Sequence, residues 1–339
     1  MLLTSAAPLC AAYDLAMLDL DGVVYVGDEA VAGAASAVHD AHGAGMRVAF
    51  ITNNASRPAS VVAEHLRELG IEAGTDDVVT SAQAAARLVV ERFGVGARVL
   101  CLGAEGLRSA LEEQGLVPVD SDGEAEVAVS GYGPELRWRE IMRAAVRIRD
   151  GLPWVASNAD HTIPTPYGVA PGHGVLVDMV QRFTGVTPDV AGKPARPLLD
   201  ETVRRVGGRR PLMVGDRLDT DIEGAHNAGV DSLLVLTGVT GLVELVAARP
   251  GERPSYVAPD LSGLTAPHPA PQRVDDDTWR LGGWSARVVD GRLEVERTAA
   301  DATAADWWRV VAVAGWDHRD RTGAVPDVPR VPGTDAAAR

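Results

Sequence analysis

The chain has 339 residues, of which 47 are acidic and 32 are basic, and its formal net charge is −15 at pH 7. This charge repels a nucleic-acid backbone and an anionic bilayer, so neither is expected as a partner. The two cysteines, Cys10 and Cys101, lie far apart, which argues against a disulfide framework or a zinc site. No basic residue precedes the apolar start of the chain, and no apolar run reaches the length of a membrane helix. We therefore expect a cytoplasmic protein of two or three domains.

Strand and helix patterns alternate at both ends of a long middle segment. Apolar runs with β-branched or aromatic members lie at 15–20, 47–52, 211–215 and 232–236. Helical patterns accompany them at 32–43, 56–70 and 221–228. Near-continuous apolar strands that alternate with helices are typical of a parallel sheet covered on both faces. The sequence thus predicts an α/β fold with a Rossmann-like, doubly wound parallel core.

The middle of the chain carries a second set of such patterns, and the end differs in composition. Further apolar runs lie at 98–103, 126–131 and 153–158, in a stretch long enough for an inserted α/β domain. After a proline-rich linker, the last residues hold five of the seven tryptophans. They predict a small α+β module of a hairpin plus one amphipathic helix, with a disordered end from about Thr322. The predicted units are a core of 1–79 and 186–266, an insertion of 80–185 and a C-terminal module of 267–339.

Polar residues stand where the first two predicted strands end. Asp19 and Asp21 flank the end of the first strand, and Thr52, Asn53 and Asn54 close the second. Ligands bind at the C-terminal edge of open parallel sheets, so these side chains are expected to share a site. A hydroxyl, amides and backbone N–H groups ahead of a helix can bind an anion. Each group alone is equally compatible with a solvated turn or an ordinary helix cap.

Two later features add to this pattern. Asp216, Asp219 and Asp221 follow another predicted strand, and acids at this density resemble a site for a hard cation. Lys193 is the only lysine among the 32 basic residues, and it lies in a loop between a glycine and a proline. A lone ammonium in a constrained loop favours a role in a site over surface decoration.

In this order, the four pieces resemble the motifs of the haloacid dehalogenase superfamily. DLDGV at 19–23 matches the first motif, TNN at 52–54 the second, Lys193 the third and GDRLDTD at 215–221 the fourth. The resemblance covers about 14–265, and an insertion between the second and third motifs implies a large cap of the C2 type. The runs ITNNASR and GDRLDTDIEGA are similar to subfamily IIA, a group of small-metabolite phosphatases.

The resemblance implies a Mg²⁺-dependent phosphomonoesterase. Asp19 would attack phosphorus and form an aspartyl-phosphate, and Asp21 would serve as general acid and then as general base. Mg²⁺ would be held by the carboxylates of Asp19 and Asp216 and the backbone carbonyl of Asp21. The groups expected to bind or position the phosphate are Thr52, Asn53, Asn54 and Lys193, with Asp221 behind them and Asp219 further out.

The stretch 158–174 resembles the substrate-facing segment of the subfamily and contains no lysine or arginine. A second anionic group on the substrate would ordinarily be bound by a cation, so the absence favours an ester with a neutral, hydroxylic end. Asn158, Asp160, His161 and His173 are candidate partners for such hydroxyls. Alternatively, these residues only fix the turns of a loop rich in proline and glycine.

The whole chain is similar to an actinobacterial group of this subfamily, which implies glycerol 3-phosphate as the substrate. 2-Phosphoglycolate or a nucleoside monophosphate remains an alternative, as does a non-catalytic binding or regulatory protein with the same fold. The tail of that group is likened to an acetyltransferase fold. No loop for an acyl-CoA pyrophosphate is recognisable here, so we expect a remnant without acetyl transfer, whose tryptophans anchor a core or a docking surface. Assembly into a homo-oligomer is left open.

Overall fold

A computed structural model describes residues 1–165 and 167–328. The core sheet consists of six parallel strands, in the order Tyr256–Ala258, Asp231–Val235, Pro211–Gly215, Leu15–Asp19, Arg47–Thr52 and Val78–Thr80. Side chains alternate along the central strand: Leu15 and Met17 enter one apolar cluster, and Ala16 and Leu18 enter the other. This period of two places an apolar layer on each face, which confirms the doubly wound parallel core.

Helices cover both faces of the core sheet. One face carries Leu9–Ala12, Ala34–Gly43 and Ala59–Glu68, and the other carries Ser81–Phe93, Pro197–Val206 and Glu223–Ala228. Single turns complete the connections: 3-10 helices at Thr75–Asp77, Pro250–Glu252 and Leu261–Leu264, and a π-helical turn at Leu218–Ile222. The helical pattern predicted at 221–228 therefore begins inside the π-helical turn.

The inserted region forms its own sheet, here called the cap sheet. Its five parallel strands lie in the order Asp189–Val190, Trp154–Ala156, Val127–Ser130, Arg98–Leu102 and Val117–Val119. Helices Glu105–Glu113, Trp138–Arg149 and His173–Thr184 accompany it, with an antiparallel hairpin of Thr162–Thr165 and Gly168–Pro171. One edge strand, Asp189–Val190, comes from beyond residue 185, where the sequence-based division ends the insertion. That division as a whole stays a prediction.

The helix Ser81–Phe93 belongs to both parts of the molecule. Its apolar side chains share one cluster with Met17 of the core sheet and with Val99 and Val155 of the cap sheet. The helix begins with a capping box, in which the Thr80 hydroxyl accepts a hydrogen bond from the backbone N–H of Gln83 at 3.3 Å and the Gln83 side chain accepts one from the Thr80 N–H at 3.0 Å. One continuous apolar interior thus joins the two sheets.

The C-terminal module is larger than the predicted hairpin and helix. An antiparallel sheet of Gln272–Arg273, Thr278–Leu281, Trp284–Val289 and Arg292–Arg297 packs against the helix Ala304–Thr322, here called the tail helix. The predicted disorder from Thr322 is wrong for Asp327, whose N–H donates to the Gly291 carbonyl at 2.8 Å. The rest of that prediction, at 329–339, lies outside the described residues. Among the described helices, none is long and apolar enough to cross a membrane.

Candidate active site

The candidate site lies where strands of both sheets end. In the core sheet, Asp19 and Thr52 are the last residues of adjacent strands, and Asp216 directly follows the third. In the cap sheet, Lys193 and Asn158 follow the two neighbouring strands Asp189–Val190 and Trp154–Ala156. The C-terminal edges of the two sheets therefore face one another. All four pieces that were predicted to form a site are brought to this junction.

Lys193 is the centre of the charge arrangement. Its ammonium lies 2.8 Å from Asp19 Oδ1 and 2.7 Å from Asp221 Oδ1, and the side chain is 2% exposed. Burial alone would lower the pKa of Lys193, but the two carboxylates outweigh it and hold that pKa above the ordinary value for lysine. Lys193 is therefore a permanent cation beside Asp19, the carboxylate predicted to be the nucleophile.

Asp216 is held by one oxygen only. Its Oδ2 accepts a hydrogen bond from the Val239 N–H at 2.6 Å, whereas its Oδ1 is buried and has no partner among the described residues. Two glycines allow this close approach: a Cβ on Gly22, whose φ is +81°, would lie 2.5 Å from Asp216 Oδ2, and one on Gly238 would also collide with it. A buried and unpartnered carboxylate oxygen is costly unless it has a ligand.

Asp19, Asp216 and Asp221 each place one carboxylate oxygen within 4.8 Å of the other two. Burial, reinforced by the neighbouring carboxylates, raises the pKa of Asp216 to about 7 and that of Asp221 to about 6. The cluster thus contains three acidic groups and one ammonium group. Both oxygens of Asp221 are already engaged, by Lys193 and by the Arg217 N–H at 3.0 Å. The donor set left over, from Asp19 and Asp216, suits a hard divalent cation.

Asp21 lies at the solvent side of this cluster. The loops around it partly desolvate its carboxyl and raise its pKa, and the charges of Lys193 and Arg57 oppose this effect. The ring of Tyr25 closes the same side, and burial together with Asp21 and Asp19 raises its pKa. A carboxyl whose pKa is raised can arrive protonated and donate its proton, as a general acid must.

Thr52, Asn53 and Asn54 divide their tasks. The Thr52 hydroxyl accepts from the Asn54 N–H at 3.0 Å, so its own hydrogen remains available to an anion. The Asn53 side chain is committed to Lys193: its Oδ1 accepts from the Lys193 N–H at 2.8 Å and its Nδ2 donates to the Lys193 carbonyl at 2.9 Å. Asn54 Oδ1 accepts from Ser56 and fixes the turn. The predicted phosphate contact from Asn53 can therefore come from its backbone N–H only.

The predicted substrate role of Asn158 does not fit its surroundings. Its amide donates to the Asn53 carbonyl at 2.7 Å, its Oδ1 accepts from the Asp160 N–H at 3.2 Å, and the residue is 3% exposed. Asp160 also binds the core, because its Oδ1 accepts from Asn53 Nδ2 at 3.1 Å. Both residues fasten the cap to the loop after Thr52, and only Asp160 keeps a partly exposed carboxylate near Lys193.

The two histidines of the cap stretch likewise face other groups. His173 begins the helix His173–Thr184 on the same face as the buried Val177, and its Nδ1 lies 2.8 Å from the Asn158 carbonyl. Burial lowers the pKa of His173 to about 4, so the ring is neutral. Its Nε2 is buried and has no hydrogen-bond partner among the described residues, so the predicted contact with substrate stays a prediction. His161 is exposed and lies 2.8 Å from Asp178 on the same cap.

Three features of the site were not predicted from the sequence. Arg57 influences both Asp21 and Tyr25, although it lies in the loop after the second motif and was not singled out. Arg217 binds Asp219 with two hydrogen bonds, at 2.8 and 3.1 Å. Burial raises the pKa of Asp160, and the charge of Arg217 is one of the effects that oppose this rise. The third feature is the loop 237–241, which holds Asp216. Its only signal was a run of small and polar residues after a strand, TGVTG.

A doubly wound core, an inserted cap and a carboxylate cluster closed by a buried lysine define a hydrolase with its site at the edge of the core sheet. Two family profiles match the chain, haloacid dehalogenase-like hydrolase at residues 16–117 and HAD-hydrolase-like at 190–264. Together with the relatives described next, they show that the chain belongs to the haloacid dehalogenase-like hydrolase family.

Similar proteins of this family are phosphatases by name. D-glycerol 3-phosphate phosphatase from Mycobacterium tuberculosis is 40% identical over 309 residues, which are 91% of this chain and 87% of that protein. Acid sugar phosphatase from Staphylococcus aureus is 33% identical over 256 residues, 75% of this chain and 97% of that protein. A crystal structure of glycerol phosphate phosphatase from Mycobacterium tuberculosis in complex with magnesium has a TM-score of 0.83 and 39% identity, with 95% of this chain and 94% of that chain covered.

Proposed function

We propose that this chain is a Mg²⁺-dependent phosphomonoesterase that hydrolyses glycerol 3-phosphate through a phosphorylated aspartate. The observation that carries the proposal is the buried lysine between two carboxylates, with a third carboxylate within reach of the same point. A fully buried charge cluster is costly to maintain, and such clusters concentrate at catalytic sites. The similarity to a glycerol phosphate phosphatase over nearly the whole chain supports the substrate.

The residues present fit a magnesium ion. The unpartnered Oδ1 of Asp216 and a carboxylate oxygen of Asp19 are hard donors that lie close together, and the backbone carbonyl of Asp21 is the third expected ligand. When bound, the ion would neutralise charge on the phosphate and on the attacking carboxylate. The Val239 N–H fixes the other oxygen of Asp216, which orients the free one.

The side chains of the chain divide the chemistry among them. Asp19 would attack phosphorus, and the bond to the leaving alkoxide breaks as Asp21 gives that oxygen its proton. In the second half, Asp21 would take a proton from the water that hydrolyses phospho-Asp19. Lys193 offsets the negative charge that gathers on the phosphoryl group, and the Thr52 hydroxyl donates to a phosphoryl oxygen. The raised pKa of Asp21 supports its part as an acid.

The chemistry of the site entrance favours a hydroxylic leaving group, with one competing observation. Asp160, held by Asn53, presents a carboxylate at the entrance, which would accept hydrogen bonds from hydroxyls and repel a second anion. The Arg57 guanidinium makes no ion pair among the described residues and lies close enough to influence Asp21. A cation there favours 2-phosphoglycolate as the alternative substrate.

A substrate panel tests the proposal. We expect kcat/KM for glycerol 3-phosphate to exceed that for 2-phosphoglycolate and for a nucleoside monophosphate, and Arg57→Gln to leave this order unchanged. A preference for 2-phosphoglycolate that Arg57→Gln abolishes would show instead that Arg57 binds the second anionic group of the substrate. Asp19→Asn is expected to lower kcat by at least about 10⁴-fold with all esters. Full hydrolysis by that variant would remove Asp19 as the nucleophile, and no hydrolysis by the wild type would favour a binding protein.

The remaining predictions about cellular context are proposals of the same kind. A cytoplasmic location is supported by the thiols of Cys10 and Cys101, which are both unpaired. A small phosphorylated metabolite as the ligand is supported by the similarity to phosphatases. The net charge of −15 supports the expected lack of nucleic-acid and membrane partners.

A further inference from the structure

The tail helix is hydrogen-bonded to the short helix Leu242–Val246, which directly follows a loop of the site. Trp316 Nε1 donates to the Leu245 carbonyl at 2.7 Å, and Arg319 donates to the Ala247 carbonyl. Gly315 allows this contact, because a Cβ at that position would lie 2.5 Å from Val246 Cγ1. All three contacts fall on the helix Leu242–Val246 and the residue after it. The tail helix thus donates side-chain hydrogen bonds to two carbonyl groups at the C-terminal end of the short helix.

The helix Leu242–Val246 continues from the loop 237–241, which touches the site at three points. The Val239 N–H donates to Asp216 Oδ2 at 2.6 Å, and the Thr240 N–H donates to the backbone carbonyl of Asp216 at 3.2 Å. The Thr237 hydroxyl donates to the Gly22 carbonyl at 2.5 Å, next to Asp21. One loop therefore holds the Asp216 carboxylate and the backbone of Gly22, the residue that follows Asp21.

A helix of five residues has too few internal hydrogen bonds to hold its own position. Its place is set by packing, and its buried side chains, those of Leu242, Leu245 and Val246, share one apolar cluster with Trp307, Trp316 and the valines of the tail helix. A shift of the tail helix would move this short helix and with it the loop 237–241. A displacement of well under 1 Å matters for a ligand whose second oxygen must stay aimed at a cation.

We infer that the C-terminal module is a positioning element for the metal site, which acts through the loop 237–241 on the Asp216 carboxylate. This inference rests on the proposed function, since it requires that Asp216 binds the cation. Trp316 and Arg319 are positioning residues: neither touches substrate or metal, and each holds the short helix by a carbonyl. The module therefore contributes to activity without an active site of its own.

The first test is Trp316→Phe, which deletes the N–H donor and keeps an aromatic ring under Arg253. We expect the dissociation constant for Mn²⁺, measured by calorimetry on the intact protein, to rise by about three- to ten-fold. Mutation of a residue that is hydrogen-bonded to a metal ligand typically lowers metal affinity by about 10- to 100-fold, and the effect here should be smaller because Trp316 acts through the loop 237–241. The Mg²⁺ concentration for half-maximal activity should rise by the same factor. KM for glycerol 3-phosphate at saturating Mg²⁺ should stay within about two-fold, because the substrate contacts are untouched.

The matched control is Trp284→Phe. Trp284 Nε1 donates to the Thr303 carbonyl at 2.7 Å, a bond of the same kind and length inside the same module, away from the loop 237–241. Arg319→Gln and Arg321→Gln form a second pair, since Arg321 binds only Asp317, at 3.0 Å, among the described residues. We expect Trp316→Phe and Arg319→Gln to weaken Mn²⁺ binding, and both controls to leave it unchanged.

Equal Mn²⁺ affinity within both pairs, with native circular dichroism, would overturn the inference. If Trp316→Phe does not fold, the arginine pair decides alone. Asp216→Asn separates this failure from that of the proposed function: loss of Mn²⁺ binding in Asp216→Asn with no effect at Trp316 or Arg319 contradicts only the positioning role. Unchanged Mn²⁺ binding in Asp216→Asn contradicts the metal site itself.

Discussion

The two halves of the site use their polar residues differently. On the core side, Asp19 and Asp216 are buried acidic groups beside the Lys193 ammonium, and one oxygen of Asp216 has no partner among the described residues. On the cap side, Asn158 and His173 are neutral and bonded to backbone groups: Asn158 joins the cap to the core, and His173 holds the backbone of Asn158. The core half thus has charged groups available to bind a ligand, whereas much of the cap half forms hydrogen bonds that hold the junction together. A polar residue beside an active site is therefore a candidate for chemistry only after its structural partners are counted.

The cost of each arrangement explains the contrast. A buried ion pair recovers its desolvation energy only with good geometry, and a surplus of buried carboxylates is unfavourable without a cation. Nothing in folding rewards three acids around one lysine, so the surplus points to function. An amide bonded to a backbone carbonyl, by contrast, carries no net charge and has its donor satisfied inside the junction.

The largest effect that would sharpen this comparison is expected from Lys193→Met. The change leaves Asp19 and Asp221 buried without a cation, which should lower the free energy of unfolding by about 3–5 kcal/mol. We also expect kcat to fall by about 10³-fold, because charge on the phosphoryl group loses its nearest counterion. Urea unfolding at pH 7 and steady-state kinetics measure the two effects.

The double variant Lys193→Met with Asp221→Asn serves as the control. Removing one surplus charge should restore part of the stability and none of the activity. An activity that recovers along with stability would mean that Lys193 holds the fold and takes no part in the reaction.

A smaller effect is expected on the cap side, from Asn158→Ala. The variant removes one of the two donors to the Asn53 carbonyl, which keeps the Ser81 hydroxyl at 2.6 Å, and it takes the acceptor from the Asp160 N–H. The free energy of unfolding should therefore fall by about 1 kcal/mol. We expect kcat/KM to drop by less than about ten-fold, since the reacting groups stay in place. His161→Ala, on the exposed surface of the same cap, should change neither quantity. A large rise in KM for Asn158→Ala with unchanged stability would show instead that Asn158 contacts the substrate.

The smallest effect concerns pH in the presence of a chelator. The pKa of Asp216 is about 7 in the folded, metal-free chain and near 3.8 when unfolded, so the folded state binds the extra proton between these values. Its contribution to stability therefore falls as pH rises from about 4 to 7 and is constant above that range. Asp216→Asn lacks this loss. The difference in Tm, variant minus wild type, should grow across that interval, and a flat difference would contradict the buried, metal-free carboxylate.

The sequence predicted the chemistry of the core half because that information is local. Asp19, Thr52 and Asp216 each mark the end of an apolar strand, and strand ends of a parallel sheet meet at one edge whatever the loops do. The isolation of Lys193 in composition also pointed to its role. The family resemblance supplied the assignment of each residue, which spacing alone left open between a site and ordinary turns.

The remainder depended on contacts between distant segments. The cap amides look identical in sequence whether they bind a hydroxyl or the Asn53 carbonyl, which lies 105 residues away from Asn158. The tail sheet was underestimated because strands such as Gln272–Arg273 are short, polar and exposed, without an alternating pattern. The importance of the loop 237–241 depends on its contacts with Asp216 and Gly22, which its own run of small and polar residues does not specify.

The helix Ser81–Phe93 sets a limit on how this enzyme can be recombined. Its side chains fill space between strands of both sheets, so a chimera that exchanges the cap of a relative at residue 80 would replace one wall of the core as well. Changing the loops that surround the active site should therefore transfer substrate preference. Exchanging the whole insertion would also require repacking of the apolar interior that the two sheets share.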